Sequence, residues 1–116
     1  MKYEELGPID RDEAERTLAG QDAEAVSLAL LRLALHDPDW RWVQEQCLRF
    51  VGHPDVWVRR NAATSLGHLA RLHRQLDSSR VIPVLEKLKK DPEVASEAET
   101  ALDDLTIFLR PRAIHQ

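Results

Sequence analysis

The chain has 116 residues, enough for one hydrophobic core, and its 43 % apolar and 31 % charged content is that of a globular rather than a disordered protein. A net charge of −4 lacks the basic footprint of a nucleic-acid binder and suits a basic protein partner. Cys47 is the single cysteine and allows no internal disulfide. Leu, Ala, Arg and Glu dominate and glycine is rare, which favours helices.

The opening stretch MKYEELGPIDRDEAERT is polar and acidic, unlike a signal or transit peptide. The longest apolar run, AVSLALLRLAL, is broken by Arg32 and is too short to span a bilayer. The expectation is a cytoplasmic protein with no membrane association. Residues 1–9 read as a loose leader ending in Gly7-Pro8. Asp10 is placed to cap a helix over 11–19, with Gly20 just past its end. Asp22 caps a second helix, 23–36, where Val26, Leu28, Ala29, Leu31 and Leu35 are apolar almost all round, so it is buried on more than one side.

HDPDW then ends one helix and starts the next, about 39–51. GHPD repeats that punctuation before a helix over 55–73. Ser79 is the expected cap of a helix over 80–90, with Pro83 in its first turn. KDPEV starts the last helix, 93–109, which Pro111 ends. Short loops between helices of this length predict antiparallel neighbours in one domain.

The valines after the proline turns begin similar stripes. Val58 is followed by Ala62, Leu66 and Leu69; Val94 by Ala98, Leu102 and Leu105; Val43 by Cys47 and Val51. Each stripe runs β-branched, small, large, so that a neighbouring helix can approach at the small residue. HPDVWVRRNAATSLGHLA resembles a HEAT repeat in His53-Pro54-Asp55, Val58-Arg59, Ala62-Ala63 and Leu66-Gly67, and VIPVLEKLKKDPEV resembles the second helix of such a repeat with the turn into the next. The resemblance spans 22–109. Gln44 and Ala95 depart from it, standing where the family has the arginine that Arg59 supplies. It implies an all-α fold, a short right-handed α-solenoid of about two and a half helix pairs, with 10–20 as a capping helix, 22–51, 55–90 and 93–109 as repeat units, and 110–116 as a tail.

Trp40 lies on the core stripe of its helix. Trp42 shares a face with Gln46 and Arg49, and Trp57 one with Asn61, Thr64 and His68. Both rings hold off-core places before a core valine, so a common fate is expected: both wedge against adjacent helices, or both form an aromatic platform for a partner. The last helix and its approach carry Asp91, Glu93, Glu97, Glu99, Asp103 and Asp104, and the first segment carries Asp10, Asp12, Glu13, Glu15, Asp22 and Glu24. Acids in a first turn serve the helix dipole, but Asp103 and Asp104 lie beyond it, as part of a solvated face or an acidic docking surface. Arg71, Arg74, Arg80, Lys87, Lys89 and Lys90 make a basic section too balanced by acids for a nucleic-acid site. The histidines lack a metal-ligand spacing, and Cys47 reads as core packing. No catalytic, cofactor or metal site is expected.

Three classes of function compete. A protein-binding module fits best. A scaffold or assembly subunit is its close alternative. An enzyme fits least: relatives of the HEAT type include DNA glycosylases, which are longer and basic, bilin lyases, and di-iron hydroxylases, which need His-Glu pairs that this chain lacks. Small acidic HEAT-like chains also resemble bacterial immunity proteins of the contact-dependent growth inhibition type. That resemblance implies a non-enzymatic protein that neutralises a basic nuclease toxin domain; the sequence does not settle the oligomeric state, with a monomer favoured for the free chain. Its partner-binding candidates are Trp42, Trp57, Asn61, His68, Glu93, Glu97, Asp103 and Asp104.

Overall fold

The computed structural model describes residues 6–109, which form six helices and no strands: α1 (Arg11–Leu18), α2 (Ala23–His36), α3 (Trp40–Phe50), α4 (Val56–His73), α5 (Ser78–Leu88) and α6 (Ala95–Phe108). Aspartate begins most of them. Asp10, Asp22, Asp39 and Asp55 each accept a hydrogen bond from a first-turn amide, satisfying donors that have no partner inside the helix. The three proline turns share one device. The residue before each proline accepts from the N–H two positions on: Asp37 from Asp39 (2.8 Å), His53 Nδ1 from Asp55 (3.0 Å) and Asp91 from Glu93 (3.0 Å).

Two helix starts differ from the sequence expectation. α5 begins at Ser78 with Asp77, not Ser79, in the capping place, and Pro83 falls inside the helix rather than in its first turn. The reason is tertiary. The Asp77 N–H is bonded by the buried Gln44 Oε1 of α3 at 2.7 Å, which fixes the start earlier than local propensity suggests. α6 starts at Ala95 because residues 91–94 form the proline turn. Gly20 follows α1, yet no described glycine has a positive φ; the left-handed cap is Arg74 at the end of α4, φ 53°. Residues 6–9, expected within a loose leader, are held to α2. Arg32 donates to the carbonyls of Gly7 (2.9 Å) and Pro8 (2.7 Å), and His36 Nε2 to that of Leu6 (2.7 Å).

Alternate helices lie side by side. Asn61 of α4 bonds Ser27 of α2, Arg60 of α4 bonds Glu93 before α6, and Gly67 lies against Ala101 of α6. Contact positions advance together along the paired helices, so α2, α4 and α6 run parallel as one layer. Gln44 and Glu45 of α3 reach Asp77 and Arg80 of α5, and Arg11 of α1 reaches Asp39, so α1, α3 and α5 line the other side. The expected units 22–51 and 55–90 join α2 with α3 and α4 with α5. Among consecutive helices, packing joins α1 to α2, α2 to α3, α3 to α4 and α5 to α6.

The core lies between the layers. Leu30 and Leu33 of α2, Val43 and Cys47 of α3, Val58, Ala62, Leu66 and Leu69 of α4, Val81 and Leu85 of α5 are fully buried, with Ala98 of α6. Gly67 sets the α4–α6 distance. A Cβ there would meet Ala101 Cα at 3.1 Å and the Asp104 carboxylate at 2.8 Å. Cys47 is buried and desolvation pushes its thiol up to about 12, partly offset by the Ser65 hydroxyl, so it stays protonated and unreactive in the native state.

Candidate partner-binding site

α4 is the central helix of its layer, and one stripe of it faces outward. Trp57, Asn61, Thr64 and His68 recur along that stripe, with Val58, Ala62, Ser65 and Leu69 facing the core. Trp57 is 59 % exposed, the most exposed large apolar side chain among the described residues. Arg60 stands over its ring, 4.9 Å from the centroid. Beside the ring, a groove of roughly 350 Å³ runs between the N-terminal halves of α2 and α4, lined by Ala23, Glu24, Ser27, Asp55, Trp57 and Asn61. Asn61 donates to the Ser27 carbonyl at 3.3 Å and ties the two walls together.

Trp42 lies elsewhere. It belongs to the α1–α3–α5 layer and packs against the core, and the Arg11 guanidinium covers its ring at 3.7 Å from the centroid. Arg11 also reaches Asp39 (3.3 Å) and Asp37 (3.9 Å). The common fate expected for the two tryptophans does not hold: Trp42 is wedged under α1, and Trp57 is open. Trp40 packs against the core as expected, with Arg41 over it.

The acids of α6 and its approach divide in the same way. Glu93 pairs with Arg59 at 3.0 Å and Glu97 with Arg60 at 3.8 Å, so both are neutralised within the chain. Arg59 also donates to the carbonyls of His53 and Pro54, both at 2.9 Å, joining the turn before α4 to the start of α6. Asp104 is half-buried beside Gly67, and its charge acts on His68. Asp103 is exposed, and among the described residues it has no ion-pair partner. His68 accepts at Nδ1 from Arg71 (2.7 Å), which leaves the ring proton on Nε2. Burial, then the Arg71 charge, lowers its pKa, against a smaller opposite pull from Asp104, so His68 is neutral at pH 7.

The structure thus brings Trp57, Asn61, His68, Glu93, Glu97 and Asp104 to the α2–α4–α6 face, leaves Asp103 on the exposed side of α6, and puts Trp42 in the opposite layer. Glu24 stands in the sequence only among the acids of the first segment, Asp55 only in the HEAT-like turn, and Ser27 carries no signal of its own. Glu24 and Ser27 come from α2, and no periodicity along α4 points to them. The basic section is also largely engaged: Arg80 forms a two-point pair with Glu45 (2.6 and 2.9 Å), Lys89 pairs with Glu86 (3.3 Å), and Arg74 lies over Phe108. The Glu45 pKa is lowered, first by that Arg80 bond. No helix among the described residues is long and apolar enough to cross a membrane.

No protein-family model and no curated protein matches the chain. A solved structure does. A chain in the crystal structure of a CDI complex from Cupriavidus taiwanensis LMG 19424 is 35 % identical, with a TM-score of 0.83, covering 93 % of this chain and 96 % of that one. This chain belongs to the family of that CDI-complex chain. The match takes in nearly all of both chains, so the likeness extends over the architecture described above rather than one local stretch.

Proposed function

We propose that this protein is the immunity member of a CDI pair, a single-domain, non-enzymatic cytoplasmic protein that binds and neutralises a cognate toxin domain, which we expect to be a basic nuclease. The observation that carries the reading is the 35 % identity with a CDI-complex chain over nearly the full length of both. We read the fold as a short right-handed HEAT-like solenoid. Support comes from the bonds between alternate helices, which join residues 33 to 35 apart along the chain. The binding face is then the outer side of α2, α4 and α6. Trp57, with Asn61 and His68, supplies the anchor, and the solvent-facing acids, Asp103 foremost, supply long-range attraction.

The test is genetic and biochemical. The toxin domain encoded beside this gene should arrest growth when expressed alone, and co-expression of this chain should restore it. The two should co-purify as a tight complex. Growth arrest by this chain alone, or the absence of any complex, overturns the reading.

A further inference from the structure

We infer that the groove between α2 and α4 receives a basic side chain of the partner protein, an arginine or lysine lying on the open face of Trp57 between Glu24 and Asp55. The inference rests on the proposed function for the partner's identity, but its chemistry comes from the groove itself.

Arg60 is tied to the α6 side, its Nε donating to the Glu93 carbonyl at 2.8 Å, so it covers the ring from that direction. The groove opens on the α2 side, where neither Glu24 nor Asp55 has an ion-pair partner among the described residues. Asp55 uses Oδ1 to cap α4, accepting from Trp57 at 2.8 Å and Val58 at 3.3 Å, which leaves its second oxygen available. None of the six lining residues is basic. An indole face and two carboxylates around one space form a receptor for a cation, because the ring quadrupole and both charges act in the same direction. A purely apolar anchor would desolvate the carboxylates without replacing their water contacts. An arginine or lysine fits both requirements, with its methylene stem along Ala23 and the ring and its head at the acids. The space is at the small end of ligand-sized clefts, right for one or two side chains. The Asn61–Ser27 bond holds its width before binding, so little reorganisation is needed.

The groove can be tested without knowing the partner. A capped tri-arginine peptide, added at millimolar concentration to the ¹⁵N-labelled full chain, should shift the Trp57 indole N–H and the amides of Glu24, Ser27 and Asn61. Glu24→Gln should abolish those shifts, and a capped tri-leucine peptide should not cause them. Shifts that avoid the groove, or appear equally with tri-leucine, overturn the inference. With the cognate toxin domain, Trp57→Leu should weaken binding by about thirtyfold and Glu24→Gln by about tenfold, with unfolding midpoints unchanged. A Trp57→Leu chain that keeps its affinity makes the groove an apolar anchor and sinks the cation reading while leaving the immunity reading intact. Loss of all toxin binding by the native chain sinks the immunity reading alone, because the peptide experiment still decides the groove.

Discussion

Trp42 and Trp57 look alike in the sequence and differ in the molecule. Each lies in the first turn of its helix, directly before a fully buried valine, Val43 or Val58. Each also has an arginine over its ring, at 3.7 Å for Trp42 and 4.9 Å for Trp57. The difference lies in where the arginine comes from. Arg11 belongs to another helix, so Trp42 is covered by tertiary structure. Arg60 belongs to α4 itself, and the neighbour across the groove offers only Ala23, Glu24 and Ser27. A helix's own spacing decides which residues leave the core; the adjacent helix decides whether they remain exposed.

Several experiments would break or sharpen that contrast. The largest effect should come from Gly67→Val, which drives side-chain atoms into the Ala101 backbone. It should cost about 3 kcal/mol of unfolding free energy by urea titration and displace α6 from the Trp57 side while leaving the Trp42 side in place. Trp42→Ala should cost about 2 kcal/mol, below the ~3–5 of a fully buried tryptophan because the ring is only half covered. Arg11→Ala should cost about 0.5–1 kcal/mol and expose Trp42 to acrylamide quenching. Trp57→Ala should alter unfolding by less than about 0.5 kcal/mol and remove the most readily quenched part of the native fluorescence. If Trp42→Ala and Trp57→Ala destabilise equally, the contrast fails.

The smallest effect should be one of pH. The folded-state pKa of His68 is depressed below its ordinary 6.5. Its contribution to stability is therefore fully present above about 6.5 and lost as pH falls through the depressed value. Between those two values the unfolded chain binds the extra proton. His68→Gln should flatten the pH dependence of stability in that window, and NMR should find the His68 ring titrating below its ordinary 6.5.

Much of the fold was legible because periodicity and proline turns are local signals. Val43, Val58, Val94, Cys47, Ala62 and Ala98, expected in the core, are all fully buried. What escaped the sequence depends on neighbours. The Trp-Val step relates α3 to α4, which lie in opposite layers, whereas the bonds that recur join residues 33 to 35 apart. Gln44, a departure from the HEAT pattern, sets the start of α5. Glu93 and Glu97 read as free acids until Arg59 and Arg60 are placed beside them. Glu24 and Asp55, far apart in the sequence, meet only in the groove.

The bonds of Arg59 to His53, Pro54 and Glu93 carry one further consequence. In a stack of helix pairs held by packing alone, the last pair can fray while the others persist. Here one guanidinium spans the turn before α4 and the start of α6, so opening the end of the chain also loosens the middle. Amide exchange in α6 and in the first turns of α4 should rise together under mild denaturant, as one cooperative unit. Arg59→Ala should separate the two, with α6 exchanging first.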